Sequence, residues 1–261
     1  MHDMQRLNET LEPMAWLEEA CPMEDAVTGF DATGWSASTW VLHAMYENSD
    51  LAGLGTHDDL HRRRLDADDI APLIIGDVNL DATTTVTGTP LGFVVRPGRP
   101  WVRVKWAHYL RRFPDFNARR DVPPCHRWFP PGSWPVAVEA PPEGSLDAES
   151  LDALIAVLSA HSPEGQNTEC LAFYASLPAG GDFDYVHLWR GRLGSIPELI
   201  DARGGPYSFS PTNFWPTDRA WFVLTDYDLQ ATKVSGDPTL MAALHADQRL
   251  ECLDWDAPIT T

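Results

Sequence analysis

The distribution of charge along the chain most constrains how it can fold. Its 261 residues include 38 acidic and 19 basic side chains. Residues 1–95 carry a net charge of −13, residues 96–138 of +7, and residues 139–261 of −13. Because a basic segment lies between two acidic ones, the fold must place it where the flanking carboxylates neutralise it or where a partner binds it.

The basic segment, residues 96–138, supports two interpretations. In the first, its cations pair with carboxylates of the flanking segments, which relieves repulsion within an acidic chain. In the second, its arginines and interleaved aromatic residues hold phosphates and stack on bases. The overall charge of −19 argues against nucleic-acid binding except locally, at residues 96–127. The candidate phosphate-binding or docking residues are Arg103, Lys105, Arg111, Arg112, Arg119 and Arg120.

The order of predicted elements indicates an α+β fold with mostly antiparallel sheets flanked by helices. Apolar residues at helical spacing predict helices over residues 36–47 and 145–159. Asp237 is a candidate cap for a helix over residues 238–246. Residues 221–234 predict two strands joined by a turn.

A proline-rich stretch, residues 121–144, separates two predicted subdomains. The first is an N-terminal α+β domain over residues 1–140 that contains the basic segment. The second is an acidic α+β module over residues 145–261.

Several classes of protein are excluded by what the sequence lacks. No apolar run approaches the ~20 residues that a membrane-spanning helix needs, and no secretory signal is visible. The four cysteines are widely spaced, which predicts reduced thiols in a cytoplasmic protein. Cys125 and His126 are adjacent, but catalytic Cys/His pairs normally come from distant positions. No glycine-rich phosphate loop or zinc-finger spacing occurs, so no cofactor is predicted.

Two sequence patterns are candidate metal sites. His57 and His61 have the spacing of two zinc ligands on one helical face, or they are surface residues of a polar helix. Asp77, Asn79 and Asp81 alternate after a short apolar run, as ligands do in some metal-dependent phosphoesterases. Asp and Asn at such positions also form turns. The second pattern is the basis of an alternative function, a metal-assisted phosphoester or nucleotide hydrolase.

The most distinctive motif lies near the C-terminus. Residues 215–229 read Trp-Pro-x-Asp-Arg-x-Trp-x-Val-x-Thr-Asp-x-Asp-Leu, and a predicted helix and a closing strand follow. The motif resembles the C-terminal module of uncharacterised actinobacterial proteins. Modules of this kind are similar to the acidic α+β immunity proteins that neutralise bacterial toxins. The resemblance covers roughly the last 110 residues and rests on fold and charge.

The charge and the resemblance together imply a cytoplasmic binding protein that masks a basic partner, such as a nuclease or another toxin. The motif's aromatic and acidic side chains are the candidate partner-binding residues, unless they are core and turn residues of the sheet. They are Trp215, Asp218, Trp221, Asp226 and Asp228. A structural subunit docked through the basic segment is a further alternative.

Overall fold

A computed structural model of the chain describes residues 3–7, 12–21, 29–67, 73–75, 77–183 and 185–255. Its strands are β1 (Gln5–Arg6), β2 (Ala37–Leu42), β3 (Met45–Glu47), β4 (Ile74–Ile75), β5 (Val78–Asn79), β6 (Val102–Val104), β7 (Val138–Glu139), β8 (Glu169–Tyr174), β9 (His187–Arg192), β10 (Asn213–Pro216), β11 (Phe222–Leu224), β12 (Ala231–Gly236) and β13 (Cys252–Leu253). Its helices are α1 (Leu17–Ala20), α2 (His57–Ala67), α3 (Leu80–Thr83), α4 (Trp106–Leu110), α5 (Ala148–Ala160) and α6 (Pro238–Ala246).

The eight strands of the main sheet lie in the order β1-β9-β8-β10-β11-β12-β2-β13. All the neighbouring strands pair antiparallel. A second sheet contains β6, β3 and β7, and β4 pairs with β5. The predicted α+β class with mostly antiparallel sheets is therefore confirmed.

The prediction of a helix over residues 36–47 is wrong, because this segment forms β2 and β3. Trp40, Val41 and Leu42 are all buried. A strand covered on both faces has a continuous apolar run, and its periodicity cannot be told from that of a buried helix.

Strand β2 also shows how the N-terminal part of the chain joins the C-terminal part. It lies between β12 and β13, and Val41 is opposite both Thr232 and Cys252. The predicted division into residues 1–140 and 145–261 therefore does not separate the main sheet, because strands from both parts build it.

The two faces of the main sheet are covered by different parts of the chain. Helices α5 and α6 pack on one face, where Leu154 and Leu244 join a cluster that contains Trp221. Met14 and Leu17 cover the opposite face, in a cluster that contains Trp215. Helix α6 begins where the sequence predicts, with Asp237 accepting a hydrogen bond from a backbone N–H group in its first turn. Helix α5 begins three residues after the predicted residue 145, and Asp147 accepts the corresponding bonds.

Buried polar groups connect β2 to the start of α5. His43 directly follows β2, and its Nδ1 donates to the carbonyl oxygen of Pro142 at 2.7 Å, while its Nε2 accepts from Thr232 Oγ1 at 3.0 Å. The Asp147 carboxylate accepts from the backbone N–H of Ala44 at 3.0 Å.

No described helix combines the length and the apolar character that a bilayer span requires.

Candidate functional site

The residues predicted for a metal-assisted hydrolase do not form one ligand set. Asp77 lies in the turn between β4 and β5, Asn79 in β5, and Asp81 in α3, so they are not alternate residues of one extended segment. The Asp81 carboxylate accepts from the backbone N–H of Leu73 at 2.8 Å, which is a turn contact. Within the described ranges, no three His, Cys, Asp or Glu side chains are grouped to hold a metal ion.

The two histidines of the other candidate metal site lie on α2, as predicted. The ring of His57 packs so closely against Gly88 that a Cβ added there would overlap it. His57 and His61 belong to no group of three possible ligands in the part of the chain that the structure describes. Cys125 is buried, and burial raises the pKa of its thiol, so it is not an activated nucleophile.

The two tryptophans of the C-terminal motif lie in the core. Trp215 and Trp221 are each 1% exposed and pack on opposite faces of the main sheet. The Trp221 indole N–H donates to Ser162 Oγ at 3.1 Å. At this burial neither side chain offers a surface to a partner, so the prediction that they bind one is corrected to a role in packing.

The three aspartates of the motif lie at two different ends of the sheet. Asp218 is in the turn that precedes β11, whereas Asp226 and Asp228 are in the turn that follows it. Because β11 runs between these turns, Asp218 lies at the opposite end of this strand from the other two.

Two of these three side chains accept a hydrogen bond from the backbone N–H two residues further along the chain. Asp218 Oδ1 accepts from the backbone N–H of Ala220 at 3.0 Å, and Asp226 Oδ1 accepts from that of Asp228 at 2.9 Å. Asp228 takes part through its backbone N–H alone. Asp218 and Asp226 therefore have matched local structure at opposite ends of β11.

The basic segment is partly neutralised by the chain itself. Arg112 binds Glu47 through both terminal nitrogens, at 2.6 and 2.7 Å, and this bond lowers the pKa of Glu47. Arg96 pairs with Glu149 at 3.2 Å. Arg119 pairs with Asp121 inside the segment, at 2.7 Å. These contacts favour the first interpretation of the segment, in which its cations are paired within the chain.

The other predicted docking residues have different surroundings. Arg103 donates to Ser150 Oγ at 3.3 Å and to the carbonyl oxygen of Arg249. The Arg120 guanidinium lies over the Trp128 ring, 4.2 Å from its centroid. Arg111 donates to the carbonyl oxygen of Ala107 at 3.3 Å, and the Lys105 side chain is exposed. The structure therefore does not bring the six residues into one phosphate-binding cluster.

A different surface collects carboxylates at the end of the main sheet where β8 ends and β9 begins. We call it the acidic face, and it consists of Glu143, Asp182, Asp201, Asp226 and Asp228. Contacts between aromatic and polar residues connect its parts. The Phe209 and Tyr227 rings are 5.6 Å apart, and the neighbouring Ser208 hydroxyl donates to Asp201 at 2.7 Å.

Two carboxylates of the acidic face, Glu143 and Asp228, repel each other. Burial raises the pKa of Glu143, the nearby charge of Asp228 raises it further, and His126 lowers it. At the other side of the face, His187 Nε2 donates to Asp182 Oδ2 at 2.9 Å. Mutual repulsion of this kind is relieved when a cation binds.

Exposed aromatic side chains lie in the same loop as Asp182. Phe183 and Tyr185, in the loop between β8 and β9, are 63% and 71% exposed. No sequence motif indicates this loop or the pair Asp182 and His187. The signal that could have identified it is the pair of aromatic residues, Phe183 and Tyr185, next to Asp182 between two apolar segments, since loops often carry binding residues.

Comparisons with protein-family models, with curated proteins and with solved structures give no match for this chain.

Proposed function

We propose that this chain is an acidic binding protein that masks a basic protein, such as a nuclease or another toxin, through the acidic face. The observation that carries the proposal is the series of contacts that connects the carboxylates of the acidic face at one end of the main sheet, where the loop residues Phe183 and Tyr185 are exposed. A cationic partner would pair with the carboxylates, and the aromatic rings would supply apolar contact area.

The charge of the whole chain supports the same partner class. A net charge of −19 accelerates encounter with a cationic protein and disfavours nucleic acid. Several arginines of the basic segment are already paired with carboxylates, as Arg112 is with Glu47. The alternative, a metal-assisted hydrolase, gains no support from the positions of Asp77, Asn79 and Asp81.

A pull-down of the tagged chain from extracts of its own cells, at low salt, tests the proposal. We expect a basic protein to be recovered in stoichiometric amount, and mass spectrometry would identify it. The purified pair should then bind directly. Recovery of the chain alone, or only with acidic proteins or a small molecule, would contradict the proposal.

The position of the contact is tested by removing charge at either end of β11. Replacing both Asp226 and Asp228 with asparagine keeps the side-chain size and removes two charges from the acidic face. We expect affinity for the captured partner to fall about tenfold. The control, Asp218→Asn, lies at the opposite end of β11 and should leave affinity unchanged. Equal losses in both variants, measured by calorimetry, would place the contact elsewhere.

A further inference from the structure

A cavity of about 440 Å³ lies beside the acidic face. Its lining includes Arg6 on β1, His187 and Trp189 on β9, and the segments 178–180 and 206–209. Arg6 is opposite Trp189 in the strand pair, and His187 is two residues before Trp189, so all three side chains point to the same face of the sheet. A volume of this size is in the range of sites that hold small molecules.

One wall of the cavity is aromatic and held in place. The Tyr207 ring stacks on Tyr174, with ring centroids 3.7 Å apart. The Trp189 indole N–H donates to Tyr207 Oη at 3.0 Å, and the two rings are perpendicular. The wall therefore offers flat apolar surface whose orientation is fixed before any ligand binds.

A chain of hydrogen bonds sets the position of Arg6. His187 Nε2 donates to Asp182, which leaves Nδ1 as the acceptor nitrogen of the ring. Tyr207 Oη donates to this Nδ1 at 2.8 Å, and Arg6 Nη2 donates to it at 3.3 Å. Burial raises the pKa of Tyr207, which keeps its hydroxyl protonated as a donor at neutral pH.

Among the described residues, the hydrogen-bond partner of the Arg6 side chain is His187 and not a carboxylate. No carboxylate of the described residues lies within ion-pair distance of its guanidinium, although the chain has twice as many acidic as basic residues. Its hydrogen-bond partner is an imidazole nitrogen without a proton. The guanidinium therefore has further N–H groups that can donate to an anion.

We propose that this cavity binds a small aromatic carboxylate, with the carboxylate on Arg6 and the ring against Trp189 and Tyr207. A planar guanidinium matches a carboxylate, and the aromatic wall matches a flat ring. A phosphate dianion fits less well, because Asp182 lies nearby and the loop amides are occupied. Gly180 N–H donates to Leu177 and Gly181 N–H to Ser176.

Titration of the full chain with benzoate, against its neutral isostere benzamide, tests the proposal. By nuclear magnetic resonance we expect benzoate to bind with a Kd of roughly 0.1–1 mM and to shift the Trp189 indole signal, which Trp189→Phe identifies. Benzamide should bind at least about tenfold more weakly, because it lacks the charge. Equal binding of the two compounds, or no shift of Trp189, would overturn the proposal.

Two arginine variants locate the carboxylate. Arg6→Gln should weaken benzoate binding about tenfold or more. Arg192→Gln, at the far end of β9 where Arg192 pairs with Asp3 at 3.4 Å, should leave it unchanged. Undiminished binding by Arg6→Gln, or tighter Arg6-dependent binding of inorganic phosphate, would also overturn the proposal. These outcomes do not depend on the captured protein partner, so the two proposals can fail separately.

Discussion

Replacing Asp147 with alanine is expected to lower the free energy of unfolding by about 3 kcal/mol. The Asp147 side chain is fully buried and caps α5 by accepting from the backbone N–H groups of Glu149 and Ser150 at 3.1 and 3.0 Å. It also accepts from Ala44, which follows β2. The variant loses the cap and leaves a buried N–H without a partner.

Asp237→Ala is the matched control, because Asp237 caps α6 from an exposed position. Water can hydrogen-bond to the N–H groups that the Asp237 carboxylate leaves, so we expect the free energy of unfolding to fall by only about 1 kcal/mol. Urea unfolding of both variants at neutral pH measures the difference. Equal losses would contradict the argument that the contact with Ala44 adds to the cap.

Acidification should destabilise the protein through His43. Burial lowers the pKa of His43 from 6.5 to about 4 in the folded chain. Between these values the unfolded chain binds a proton that the folded chain does not, so the free energy of unfolding falls as the pH falls. For this one residue the loss is about 3 kcal/mol between pH 6.5 and 4.

Other buried groups oppose this loss. Burial raises the pKa values of Glu139, Glu143 and Glu251, and protonation of these carboxyls as the pH falls favours the folded chain. Comparison with His43→Gln isolates the histidine. Between pH 6.5 and 4, the free energy of unfolding, measured with urea, should fall by about 3 kcal/mol more in the wild type than in the variant. Parallel pH profiles would show that His43 does not carry the effect.

The parts of the fold that the sequence predicts correctly have local causes. Helices α5 and α6 combine an aspartate cap with apolar spacing, and β11 and β12 are joined by a short turn. Strand β2 is different, because its neighbours β12 and β13 are far away in the chain. Its position depends on long-range pairing, which local patterns do not encode.

The candidate site shows the same limit. Asp226 and Asp228 were selected from their motif, and they do lie on the acidic face, while Asp218 from the same motif lies at the other end of β11. In an antiparallel meander, successive turns are at opposite ends of the sheet. The contacts between Arg6, His187 and Tyr207 join three distant segments, so no sequence spacing could indicate them.

The most direct test of the central claim is the affinity for the captured basic protein at two salt concentrations. Screening lengths are about 10 Å at 0.1 M and about 3 Å at 1 M. If the acidic face binds the partner, the wild-type affinity should fall at least about tenfold at high salt. The variant lacking the charges of Asp226 and Asp228 should lose less. An affinity that is the same at both concentrations would contradict the claim.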